Sequence, residues 1–364
     1  MRVVTIGVGG AGGRIVDALW RDSDTRSASY LVGARVLDTD ETALSALESV
    51  PPEARHLFGH VETGGTGTGG DRSKAITAIE DDILEMRRRI DTAVTSDAAA
   101  IILVAGLGGG TGSGVTPALA RALREVYDRP IYTVSVLPAS HEEVPPENPA
   151  HGLQTTHSVV DAQLVFDNDA WFDSESSLED DAEMLNRELA ERIGTLLSAG
   201  EAVTRDSVGQ RVVDASEIIS TLDEGGLATI GYARQDVQPD RQSSDSSLLG
   251  RLRGRLSTDD DDVDDVSAIK AVETTLRRAA RGRLTFDCPL ASATSGLLVV
   301  SGPPDWLHQQ AIADGQRWLS EEIDSAQLRT GDAPNQNSSQ LTVLVLLGGI
   351  QDTPRLDDLK IADA

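Results

Sequence analysis

Residues 108–114 read Gly108-Gly109-Gly110-Thr111-Gly112-Ser113-Gly114 and follow directly on an apolar run from Ala99 to Leu107. A buried strand that empties into so much glycine brings backbone N–H groups together with no Cβ in the way. Helical spacing from Val115 to Val126 places the loop at a helix N-terminus, where free N–H groups and the helix dipole favour an anion. The usual anion is a phosphate chain. The loop has no lysine, so it is not the GxxxxGK[ST] phosphate loop. Main chain, Thr111, Ser113 and a bound cation are left to hold the phosphates.

A second loop, Gly7-Val8-Gly9-Gly10-Ala11-Gly12-Gly13, follows the first apolar run and opens another helix. Alone it satisfies the GxGxxG dinucleotide fingerprint, with Asp38 or Asp40 available for a ribose hydroxyl. Two phosphate cradles on one sheet fit one nucleoside triphosphate better than a dinucleotide. A third glycine-rich stretch, Thr63 to Asp71, reads either as a surface linker or as a mobile loop. In the second case the N–H groups of residues such as Gly65 and Gly67 close over a terminal phosphate.

The elements that must position these loops alternate. Residues 2–6, 34–37, 99–105, 130–136 and 163–166 are short apolar runs, separated by helical patterns at Ile15–Trp20, Ala75–Ile90 and Pro117–Val126. That alternation predicts a parallel sheet covered on both faces, with ligands at the C-terminal strand ends. A long helix follows at Glu179–Ala199, with Leu185, Leu189, Ile193, Leu196 and Leu197 on one face. A polar, acidic stretch at 236–266 reads as a disordered insertion. A second α/β unit then resumes, with helix Ser267–Arg281, strand Gly296–Ser301, helix Pro304–Ile323 and strand Gln340–Leu347. Residues 351–364 are an ordered edge or a tail.

Composition narrows the function classes. The formal net charge is −27, which argues against nucleic acid as a partner. Acids run along the whole chain and lysine is confined to Lys74, Lys270 and Lys360, a surface suited to a cytoplasm with molar salt. There the Debye length is about 3 Å and repulsion among carboxylates is screened. Structure and assembly are therefore expected to fail when salt is removed, and full stability in dilute buffer would oppose this. Cys288 is the lone cysteine, so no intrachain disulfide is expected. With neither a signal-peptide pattern nor an 18-residue apolar stretch, the expectation is a cytoplasmic protein. His56 and His60 do not form a HExxH site, and no Ser/His/Asp arrangement can be read from spacing.

The pair GVGGAGG and GGGTGSG resembles the tubulin/FtsZ superfamily. The stretches FDNDAW (166–171), MLNRELAERIG (184–194), VVDASEII (212–219), GGLATIGYA (225–233) and SGPPDWL (301–307) resemble CetZ, its archaeal tubulin-like group. The resemblance covers residue 3 to about residue 356. It implies a Rossmann-like GTP-binding domain at 1–178, a central helix at 179–200, and a C-terminal GTPase-activating α/β domain at 201–350 followed by a tail. Subunits stack head to tail, bind GTP or GDP with Mg²⁺, and serve cell shape or motility, with membrane adaptors or paralogues as further partners. Gly9, Gly10, Ala11 and Gly13 match the first phosphate loop and Gly108 to Gly114 (including Gly109, Gly110 and Gly112) the second. Asn168 and Asn186 match the guanine readers, for which an amide offers both donor and acceptor. Glu142 matches a ribose contact, and Asp38 falls in the second nucleotide loop.

Asp214 and Glu217 match the acids that enter the neighbouring subunit's site and orient the attacking water. Two positions depart from the pattern: Val212 replaces an Asn ahead of the first acid, and His151 stands where an arginine is common. Two other function classes remain open on sequence. One is a poorly polymerising nucleotide-binding regulator of other filaments; the other is an NAD- or FAD-dependent oxidoreductase resting on the first loop alone.

Overall fold

The computed structural model describes residues 1–172, 178–201, 213–237, 265–323, 325, 327–350 and 353–359. The insertion expected at 236–266 falls almost wholly outside these residues, as does the departure at Val212.

Ten strands form one sheet. They are β1 (Val3–Val8), β2 (Leu31–Asp38), β3 (Arg55–Leu57), β4 (Ala100–Gly106), β5 (Ile131–Leu137), β6 (Ala162–Asp167), β7 (Leu227–Asp236), β8 (Ser295–Gly302), β9 (Leu328–Pro334) and β10 (Gln340–Ile350). The order is β3-β2-β1-β4-β5-β6-β7-β10-β8-β9. From β3 to β7 every pairing is parallel, whereas β10 runs antiparallel to both β7 and β8. The β6–β7 ladder is short, Gln163↔Leu227 and Leu164↔Ala228, and beyond it Thr285 bridges the two strands, its carbonyl accepting from Asp167 N and its N–H donating to the Ile230 carbonyl.

The helices are α1 (Gly9–Thr25), α2 (Glu41–Ser45), α3 (His60–Thr63), α4 (Arg72–Asp91), α5 (Gly110–Arg124), α6 (Glu147–His157), α7 (Leu178–Ser198), α8 (Ala215–Leu222), α9 (Asp265–Arg281), α10 (Gln309–Glu322) and α11 (Pro354–Leu359). They cover both faces, because near-continuous apolar strands leave no face that water can wet. One core layer holds Ile79 and Ile90 of α4, Val115 and Leu119 of α5, Val272 and Leu276 of α9 and Leu319 of α10. The other holds Ile15 and Leu19 of α1 and the predicted stripe of α7, from Leu185 to Leu197. Among the described residues no helix is long and apolar enough to cross a membrane.

Two local outcomes differ from the sequence reading, and a third concerns a segment that it left open. α5 begins inside the glycine loop, at Gly110 rather than Val115, and carries Pro117 in its interior. Proline lacks the N–H that would pair with the carbonyl of Ser113; Arg72 Nε donates to that carbonyl instead, at 3.3 Å. The helix expected from Pro304 begins at Gln309, after a 3₁₀ turn at Pro304–Trp306, with His308 as its cap. The segment after residue 350, left open as an edge or a tail, contains α11.

Candidate functional site

β1 and β4 lie side by side where the strand order reverses, the place at which open α/β sheets bind ligands. Each ends directly in one of the predicted glycine loops. α1 starts at Gly9 and α5 at Gly110, and neither has a side-chain cap or an acid in its first turn. Their first-turn N–H groups are thus left for an anion.

The glycines let backbone meet backbone. A Cβ on Gly12 would come within 2.1 Å of the Val104 carbonyl oxygen, and one on Gly112 within 2.1 Å of that of Gly106. Gly9 also has φ +71°, in the left-handed region that glycine tolerates. The loops enclose a cavity of about 340 Å³.

Of the predicted residues, Gly9, Gly10, Ala11, Asp38, Gly67, Gly108, Gly109, Gly110, Thr111, Gly112, Glu142 and Asn168 all line this cavity. Asn186 lies in an adjoining cleft of about 1120 Å³ between α1 and α7, which shares Ala11, Arg14, Glu142 and Asn168 with the first. Glu142 Oε1 accepts from Ala139 N at 2.8 Å and from Asn168 Nδ2 at 3.0 Å, so the two side chains fix each other at the junction of the clefts.

Other predicted residues stand behind the wall. Gly13 packs α1 against Val36 of β2, and Gly114 packs α5 against α4. Ser113 is fully buried, and its hydroxyl donates to the Gly109 carbonyl at 2.6 Å. It shapes the loop rather than facing the cavity.

The Thr63–Asp71 stretch is pinned by hydrogen bonds. Gly65 N donates to Thr63 Oγ1 and Gly67 N to the Thr39 carbonyl, so in this conformation neither N–H points to a phosphate. Asn148 Nδ2 ties the Gly70 and Gly108 carbonyls together at 2.8 and 3.0 Å. His151 sits on α6 and lines neither cleft.

Sequence reasoning missed several cavity residues. Arg14, one turn beyond Gly10 on α1, brings a positive charge to both clefts; its signal was the four-residue spacing from the loop. Thr111 Oγ1 lies 2.9 Å from Thr39 Oγ1 and 3.4 Å from Thr68 Oγ1, a hydroxyl cluster assembled from three loops. Burial raises the Asp38 carboxyl to about 6, against N–H donation from Thr39 and Asp40.

Arg355 of α11 was not foreseen at all. Its Nε lies 3.1 Å from Asp167 Oδ2, its Nη1 3.6 Å from Asp169 Oδ2, and its Nη2 donates to the Pro138 carbonyl at 3.2 Å. It thereby brackets Asn168 from behind. Burial raises the Asp167 carboxyl above its ordinary range, and the charge of Arg355 opposes that rise.

Asp214 and Glu217 line neither cleft of their own chain. Asp214 caps α8, accepting from Ser216 N at 2.8 Å and Glu217 N at 3.2 Å. The Ser216 hydroxyl, above all, holds its carboxyl below the usual range. Glu217 Oε2 lies 3.3 Å from Arg329 Nε. Asp214 is exposed and Glu217 half-buried.

Two family models divide the chain: tubulin/FtsZ family, GTPase domain, over residues 2–176, and tubulin-like CetZ, C-terminal domain, over residues 175–363. Tubulin-like protein CetZ5 of Haloferax volcanii is 38% identical over 361 residues, covering 99% of this chain and 91% of the relative. The solved structure of H. volcanii CetZ1, a GDP-bound monomer, matches with TM-score 0.85 and 32% identity, covering 99% of this chain and 97% of that one. That of H. volcanii CetZ2, a GTPγS-bound protofilament, matches with TM-score 0.85 and 33% identity over 99% and 96%.

Proposed function

The chain belongs to the CetZ family of tubulin/FtsZ-like proteins, and on that footing we propose that it is a cytoskeletal GTPase. It binds guanosine triphosphate in the cradle between β1 and β4 and stacks head to tail into protofilaments that serve cell shape or motility. The carrying observation is the pair of uncapped helix N-termini facing one cavity, with Glu142, Asn168 and Asn186 at its mouth. The phosphates lie against the first turns of α1 and α5, with Thr111 and Arg14 beside them. The base extends from Asn168, after β6, towards Asn186 of α7, whose amides read a guanine edge.

A Mg²⁺ ion bound with the nucleotide supplies charge neutralisation at the phosphates. Among the described residues no three His, Cys, Asp or Glu side chains converge into a cage. Asp38, Asp40, Thr68 and Thr111 do line the cavity, an oxygen set that fits a hard cation held mostly by phosphate and water.

Hydrolysis needs a group to orient and deprotonate water. Asp214 is exposed, Glu217 is half-buried beside Arg329, and both are remote from their own cradle, as groups acting on a neighbour's nucleotide must be. The supporting likeness is to the GTPγS-bound protofilament of CetZ2.

The test is GTPase rate against protein concentration in molar KCl, with sedimentation in parallel. A shared site gives a rate that climbs faster than linearly. Glu217→Ala retains nucleotide binding and loses about 10²–10⁴-fold in turnover. A rate proportional to concentration over a wide range, or full turnover in the variant, refutes the shared site.

A further inference from the structure

On the side of the molecule formed by α7, β7 and α9 lies a groove of about 670 Å³ that the nucleotide reading does not use. Six arginines line it (Arg192, Arg234, Arg277, Arg278, Arg281 and Arg283), with Glu188 as the one acid among its lining residues. This is against the grain of the chain, in which Asp and Glu total 59 and Lys and Arg 32. Thr274, Arg277, Arg278 and Arg281 follow the three- and four-residue spacing of one helix face, where the arginines repel one another and Glu273, four residues before Arg277, is the acid on the same side. Arg234 pairs with Glu191 and Arg281 with Glu322, each at 2.7 Å. Arg277, Arg278 and Arg283 have no carboxylate in ion-pair reach among the described residues.

Four of the guanidiniums are also held in place. Arg192 is stacked 4.5 Å from the Trp171 ring centre and 5.1 Å from that of Tyr232, and Arg283 lies 5.1 Å from Trp171. Arg277 and Arg281 sit over Trp318 at 4.9 and 5.4 Å. Stacking fixes the plane of each donor fork, which reduces the entropy lost on binding. Arg192 adds an independent sign of a ligand. It is 5% exposed, its Nη1 donates to Glu188, and its Nε is buried with no hydrogen-bond partner. A buried donor left unpaired is costly unless something arrives to accept from it.

We propose that this groove is a binding site for a compact polyphosphorylated anion, gripped by Arg192, Arg277, Arg278 and Arg283. The forks come from three elements and so approach from several directions. A tetrahedral phosphate accepts from all of them, whereas a planar carboxylate presents its oxygens along one edge. In molar salt, attraction at a distance is screened to about 3 Å, so an anion held here is held by direct contact.

The test uses tripolyphosphate, titrated by calorimetry into the full chain saturated with GDP in molar KCl, so that the cradle is occupied. Saturable one-to-one binding is expected. The exposed double substitution Arg277→Gln/Arg278→Gln should weaken it by at least about tenfold, the equivalent of one lost charge-assisted hydrogen bond. Melting temperature and GDP affinity are to stay unchanged in that variant, and Arg283→Glu should give the same loss from a different element. No saturable binding, equal affinity in the variants, or binding that vanishes as GDP saturates the cradle overturns the proposal. So does a glutamate-rich peptide that binds more tightly than tripolyphosphate.

Discussion

Replacing Arg355 by alanine should loosen the nucleotide although the residue lines only the outer side of the site. Its guanidinium spans Asp167, Asp169 and the Pro138 carbonyl, and these three flank the loops that carry Asn168 and Glu142. Breaking a fully buried ion pair by removing one partner costs about 3–5 kcal/mol. Here the Arg355 side chain is 22% exposed and Asp167 retains the N–H of Asp169, so the penalty is smaller. A value of about 2 kcal/mol, or about 30-fold in affinity if all of it is felt at the base, is the upper bound on the effect. A fluorescent guanosine nucleotide, titrated and then chased in molar KCl, reads both affinity and dissociation rate. The loss should appear mainly as faster dissociation. Arg355→Lys should recover part of it, since a point charge reaches one carboxylate but cannot span all three acceptors. If Arg355→Ala binds and releases nucleotide as the parent does while its fold is intact, the bracket around Asn168 is irrelevant and the reasoning fails.

Asp38 predicts a pH dependence. Burial raises its carboxyl to about 6, so the folded, nucleotide-free chain holds that proton more tightly than the unfolded one. The stability it confers is complete below about pH 4 and is lost as pH rises through about 6, on the order of 3 kcal/mol in all. Urea unfolding across this window should show the slope in the parent and a flatter line in Asp38→Asn. The two loop glycines Gly112 and Gly109 should separate packing from binding. Gly112→Ala forces a Cβ onto the Gly106 carbonyl and should lower stability by about 1–3 kcal/mol, read as melting temperature. Gly109→Ala meets nothing within 4 Å in the free chain, so it should melt normally and lose nucleotide affinity. The opposite pattern would contradict the assignment of these two positions.

What could be read ahead of the structure was what local pattern encodes. β1, β4 and β5 are continuous apolar runs, and α7 shows its leucine stripe, because each is buried along its length. β3 and β9 escaped notice for the opposite reason. One is three half-buried residues, Arg55 to Leu57, and the other is a polar edge strand that contains Gly331 and ends in Pro334. β7 was visible only as a family-like stretch, since Gly231 and the charged end Arg234 to Asp236 interrupt its apolar pattern. In the site, the glycine loops announced themselves by composition. Arg355 could not, because its partners lie about half the length of the chain away and a single arginine in a polar tail carries no pattern. Spacing alone does not say where the Ser113 hydroxyl turns; in the structure it bonds to the Gly109 carbonyl of its own loop.

The splice between β6 and β7 has a mechanical consequence. The two halves of the sheet are stitched by Gln163↔Leu227 and Leu164↔Ala228 and, further along, by Thr285, which bonds to both strands, while the layer beneath them is the leucine seam of α7, in one apolar cluster with Leu344, Leu346, Ile102 and Val134. Hydrogen bonds resist shear sharply, but oily contact is indifferent to direction and can slip by small steps. The two halves can therefore shift a little about this narrow join, the displacement being taken up among the leucines of α7 while the ladders on either side stay whole.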